Sequence, residues 1–199
     1  RTDEAIRFLG QHLTLTQAIG DTAGQGRALS NLGKVAAARG EKEAAAKYLT
    51  AAIPLLQVAG ESYNEAMAGK ELADLKIQSG QYPVAYAGLR AALTAAKRCT
   101  HWKRQAEALN ELGIVASQLK SRAGLRLAFQ CFRRGAALMH KVDDPIDEAL
   151  GIHNCAETLF MLGRRRWSTA VAERAYRILS ERGSPLLAEL RRAQELWSS

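Results

Sequence analysis

At 199 residues, 47% hydrophobic and 24% charged, the chain has the length and composition of a folded protein of one or two domains, which excludes a disordered polymer. Four prolines and 6% aromatic residues, beside abundant Ala, Leu, Arg and Glu, favour helix over strand, and no apolar run approaches the ~20 residues of a membrane span. A formal charge of +8 and a pI near 9.7 point to an acidic partner rather than to any particular chemistry.

Cys99, Cys131 and Cys155 are odd in number, far apart and set inside apolar-periodic segments, so they read as core thiols of a cytosolic protein and not as a disulfide framework or zinc site. The N-terminus carries no signal-peptide pattern. Along the chain, the dominant signal is self-similarity at a fixed spacing. Leu32, Leu72 and Leu112 lie 40 residues apart, and Cys155 follows 43 later; Ala5, Ala45 and Ala85 form a second series, each with a leucine four residues on at Leu9, Leu49 and Leu89.

Residues 3–19 match the second series only. They predict a second helix lacking its first, as expected for part of a longer protein. Residues 21–60, 61–100, 101–143 and 144–183 then predict four helix pairs, with turns at Gly40, Gly80, Lys120 to Gly124, and Gly163 to Trp167. First helices show apolar residues on one face, as in Leu109, Leu112, Ala116 and Leu119. Asp21, Asp144 and Ser184 are predicted caps, the last two before a proline, and Ser62 with Glu65 predicts a capping box. Residues 184–199, centred on the amphipathic run Pro185 to Trp197, predict a closing helix, ten in all. Small residues recur where paired backbones must approach: Gly33, Ala73, Gly113 and Ala156 on first helices, and Ala45, Ala85 and Ala128 on second helices.

These residues resemble the tetratricopeptide repeat family: the pairs Leu32-Gly33 and Leu112-Gly113, the turn glycines Gly40, Gly80 and Gly163, Ala45 and Ala85, and Leu49 and Leu89. The commoner repeat runs to about 34 residues; the period of 40 and the stretch GRALSNLG resemble the long-repeat branch of Pins-type G-protein-signalling modulators. The third unit departs by residues inserted around Ser121 to Leu125, and the fourth by Arg164 to Trp167 and by Cys155 in place of leucine. No unit keeps the family's first-helix tryptophan. The resemblance implies an all-α solenoid of helical hairpins, with first helices lining a concave groove. It implies that Arg27, Ser30, Lys34, Met67, Lys70, Asp74, Glu107, Asn110, Ile114, Leu150, His153 and Glu157 face a ligand there.

Within that groove Arg27, Lys34 and Lys70 are suited to carboxylates, and Asn31, Asn110 and Asn154 to the backbone of an extended peptide. A second surface is basic. Five cations and no anion fall between Lys120 and Arg134, among them Arg122 and Arg126, and Arg164, Arg165 and Arg166 open the next such stretch. Both begin at an intra-repeat turn, which predicts one shared edge. Nucleic acid is disfavoured, since Trp102 and Trp167 make no stacking platform. No phosphate loop, metal-ligand spacing or nucleophile–base pair appears: the four histidines have no partner at ligand spacing, and Glu107 with Glu111 reads as a solvated face. The sequence thus predicts a non-enzymatic cytoplasmic interaction module, without cofactor or metal, that binds an acidic peptide or protein segment in its groove. The alternatives are a structural subunit of a large cytoplasmic or cytoskeletal assembly packed through its basic edge, and a regulator with a small peptide ligand.

Overall fold

A computed structural model describes residues 2–198. Ten helices and no strand occur among them: α1 Thr2–Ala18, α2 Thr22–Ala38, α3 Lys42–Val58, α4 Ser62–Gln78, α5 Tyr82–Arg98, α6 Trp102–Gln118, α7 Arg122–Lys141, α8 Pro145–Met161, α9 Arg165–Glu181 and α10 Leu186–Ser198. The side chain of Trp197 lies outside the described residues. The chain divides into two compact units, Arg1–His101 and Trp102–Ser199.

Each helix from α1 to α9 stops where the backbone turns left-handed just past its end. Gly20, Gly40, Gly60, Gly80, Gly163 and Gly183 take φ between 60° and 78° there, a region open to glycine without steric penalty. Thr100, Lys120 and Asp143 take the same conformation at the equivalent turns. After α2, the next amide closes back on the helix, with Glu41 N donating to Ala36 O at 3.0 Å. A turn of three residues leaves no slack, so within each unit consecutive helices joined by one lie side by side and antiparallel.

In the first unit that approach is set at Gly33. A Cβ added there would stand 2.7 Å from Leu49 Cγ, so the leucine of α3 occupies the space the glycine leaves open. Gly26 receives Leu56 in the same way. Ala36, Ala45, Leu49, Ala52, Leu56, Ala68 and Leu75 close around these contacts as the unit's main core cluster. In the second unit Phe132 of α7 fills the space over Gly113 of α6, where a Cβ would stand 2.5 Å from its ring. Ala128 and Cys155 pack beside it. A further cluster surrounds Tyr176, whose hydroxyl donates to Leu190 O at 3.2 Å and so ties α10 to α9. Burial pushes the Tyr176 phenol up to about 12.

Three details correct the expectation. The extra residues of the third unit are helical: α7 has 20 residues where its counterparts have 17, and the turn ends at Ser121, whose hydroxyl accepts from Gly124 N at 3.0 Å. Arg165, Arg166 and Trp167 likewise belong to α9, not to the turn before it. Ser62 and Glu65 form no capping box, because α4 begins at Ser62 itself and the buried Glu65 carboxylate pairs with Arg98 of α5. The caps at Asp21 and Asp144 do form, accepting from Gly24 N at 2.8 Å and Asp147 N at 3.2 Å.

Two tests follow from this packing. Gly113→Ala should destabilise the protein by roughly 1–3 kcal/mol, since its methyl would stand 2.5 Å from the Phe132 ring. Adding Phe132→Ala should recover part of the loss, because removing the ring clears the space that the new methyl needs. Urea melts of the two single variants and the double variant check this, and strict additivity would contradict it. The second test uses Asp144, which a hydrogen bond from Lys103 holds below the usual carboxylate range. A carboxyl depressed in the folded state stabilises above its unfolded value and stops doing so as pH falls through the folded value. Asp144→Ala should therefore cost about 1 kcal/mol at roughly pH 7, and its gap to wild type should narrow as the pH is lowered below the usual carboxylate range and through the depressed folded value. An undiminished gap at the lower pH would contradict the assignment.

Candidate functional site

The first-helix face of the first unit is polar and internally paired. Arg27 of α2 lies 2.5 Å from Glu61, just ahead of α4, and Lys34 of α2 lies 3.6 Å from Glu71 of α4. Lys70 meets Asp74 one turn along the same helix at 2.8 Å. All three cations expected to take ligand carboxylates are thus answered by the chain's own. Burial pushes the Glu71 carboxyl up, opposed by the charge of Lys34. Asn31 is exposed, as expected. Ser30 is not: at 5% exposure it is buried beneath its neighbours.

In the second unit, Asn154 of α8 donates to Asn110 Oδ1 of α6 at 3.1 Å, so these two side chains bridge neighbouring first helices. His153 was expected beside them. It is instead 5% exposed, its ring 6.0 Å from that of Tyr176, and burial lowers its pKa. Ser30 and His153 sit two residues before Leu32 and Cys155, a register that Lys70 and Asn110 share without being buried, so at this flank position the neighbouring side chains decide exposure.

The sequence contains a series that its reading overlooked. Gln25, Glu65, Gln105 and Glu148 stand seven residues before Leu32, Leu72, Leu112 and Cys155, and the last three are buried. Gln25 Nε2 donates to Thr16 O of α1 at 3.3 Å, reaching back to the preceding helix. Glu148 reaches back to His140 of α7, 2.9 Å from its Nδ1, and accepts from Arg174 of α9 at 3.1 Å. At Gln25, Glu65 and Glu148, a polar residue two turns before the key apolar position therefore ties its helix to a neighbouring one. The same 40, 40 and 43 spacing would have revealed it.

The basic residues behave differently from the groove cations. Arg122, Arg126, Arg164, Arg165 and Arg166 are exposed, and none forms an ion pair among the described residues. Arg165 lies over the Phe160 ring at 5.4 Å. Met161, at the end of α8, lines one depression with Ser117, Lys120 and Leu125, so the α6–α7 and α8–α9 turns adjoin. Three large apolar side chains stand among the cations: Leu119 at 62%, Met161 at 53% and Trp167 at 66% exposure.

No family model matches the chain, and no curated protein is similar to it in sequence. Solved structures are similar to it in fold. BtubC (BKLC) from P. vanneervenii superposes with a TM-score of 0.73 at 18% identity, covering 92% of this chain and 88% of that one. A Podosopora anserina putative kinesin light chain with nearly identical TPR-like repeats gives 0.67 at 15% identity, covering 92% and 88%. MamA protein gives 0.63 at 15% identity, covering 91% and 95%. Hairpin by hairpin, the chain has the all-α solenoid fold of tetratricopeptide-like repeats.

Proposed function

We propose that the chain is a protein-interaction module whose partner presents an acidic segment, taken up along the turn edge of the second unit. The observation that carries this reading is the contrast in charge compensation. Arg27, Lys34 and Lys70 each have a carboxylate within the protein, so a ligand carboxylate there must displace one already bound, an exchange with little net gain. Arg122, Arg126, Arg164, Arg165 and Arg166 have none to displace. The exposed Leu119, Met161 and Trp167 beside them supply the apolar contact that a surface made only for solubility would lack.

The reading calls for no cofactor, metal or catalytic group, and it places the protein in the cytoplasm, in keeping with three free cysteines. No helix among the described residues is long and apolar enough to cross a membrane. Within a larger assembly the same edge would serve as a packing surface. The finer likeness to Pins-type modulators rests on the period and the stretch GRALSNLG, and adds nothing about the partner's chemistry.

Binding of a fluorescein-labelled oligoglutamate peptide, followed by anisotropy at low and moderate salt, tests the reading. Combining Arg164→Glu, Arg165→Glu and Arg166→Glu should weaken binding by about ten-fold or more and flatten its salt dependence. The melting temperature should stay near that of wild type, since the three side chains are exposed and touch no carboxylate. Arg27→Gln with Lys70→Gln should leave affinity nearly unchanged. The opposite pattern would return the site to the first-helix face. Tighter binding to single-stranded DNA or to anionic vesicles than to oligoglutamate would overturn the protein-partner reading.

A further inference from the structure

The basic edge does not end at the turns. Behind it, α7, α8 and α9 enclose a cavity of about 380 Å³. Its floor is apolar: Phe129 and Ala136 from α7, Ile152 and Cys155 from α8, and Val171 from α9. Burial pushes the Cys155 thiol up to about 12, which keeps it a neutral, apolar part of that floor.

The rim is charged and unevenly so. Arg133 and His140 come from α7 and Arg174 from α9. The one acid lining the cavity, Glu148, is buried and already shared between His140 and Arg174. Arg133 has no ion pair among the described residues and is exposed. An apolar hollow with a free guanidinium at its mouth complements an apolar side chain next to a carboxylate. A second hydrophobic helix would cover the hollow but leave Arg133 without a counter-charge. The volume lies near the lower limit of ordinary ligand pockets, which suits one or two large side chains rather than a folded surface.

The position along the helices supplies the link to the edge. Val171 lies six residues into α9 from Arg165, a rise of about 9 Å. Three residues of an extended chain cover about the same length. We infer that this cavity anchors a large apolar side chain, leucine or phenylalanine, of the same acidic segment that the basic edge receives, with a flanking carboxylate on Arg133. The inference rests on the acidic-segment reading and adds to it the residue class that fixes the segment in register.

Two labelled peptides test it, oligoglutamate with one central leucine and the same peptide with serine in its place. On the wild-type protein the leucine peptide should bind about ten-fold more tightly, the gain expected from removing one such side chain from water. Ala137→Trp, at an exposed position lining the cavity, should fill it and abolish that advantage while leaving the serine peptide's affinity unchanged. Methyl signals of Ile152 and Val171 should shift with the leucine peptide only. Equal affinities for the two peptides would overturn the anchor and leave the basic-edge reading standing. Failure of both peptides to bind would overturn that reading and the anchor with it. Self-association of the wild-type chain that Ala137→Trp abolishes would assign the cavity to a second copy and overturn the inference as well.

Discussion

The structure depends on how closely the two helices of a hairpin can approach. Gly33 under Leu49 and Gly113 under Phe132 have no room for even one added carbon, so the backbones are drawn together and a turn of three residues is enough to join them. Within each unit, once the turn is that short, the phase of each helix is fixed by the one before it. Which side chains face a neighbour and which face outward then follows. Among the described residues the core positions are accordingly filled by alanine more often than by leucine, and Ala45, Ala85, Ala128 and Ala156 are fully buried. Loss of a small residue would displace a helix axis and not merely crowd a side chain.

The same phase sorts the charges. Arg27 and Lys34 of α2 find carboxylates at the start of α4 and on it, Glu61 and Glu71. Side chains at the exposed ends of α7 and α9 have no such neighbour within reach. The cations are therefore of two kinds, those that hold repeats to each other and those left over. Only the second kind keeps its field in solution, where it can attract and orient an acidic partner before contact is made. The apolar residues Leu119, Met161 and Trp167 at the same edge turn an attraction into a surface that can retain what it attracts.

The fold was legible because it is written in small and apolar residues at a constant interval. Leu32, Leu72, Leu112 and Ala45, Ala85 mark it directly. The site was less so. Glu65 looked like half of a capping box with Ser62, since both residues have the right spacing. Its true partner, Arg98, is 33 residues away on another helix. Ser30 and His153 share a register position that the family resemblance assigns to the ligand face, yet the exposure of a flank position depends on the neighbouring side chains, and here both are buried. The partners of Arg27 and Lys34 were also hidden, being 34 and 37 residues distant in sequence. The basic edge could be anticipated because its cations cluster in sequence as well as in space. The cavity behind it could not, because three helices from separate segments contribute its walls.

The central claim is that the cations divide into those committed within the fold and those available to a partner. Side-chain NMR reports on both kinds at once. In a titration with oligoglutamate, the Nε–Hε signals of Arg122, Arg126, Arg164, Arg165 and Arg166 should move progressively with added peptide. The signal of Arg27 and the Nζ signals of Lys34 and Lys70 should stay in place. Movement of Arg27, Lys34 and Lys70 with the edge arginines unmoved would contradict the account.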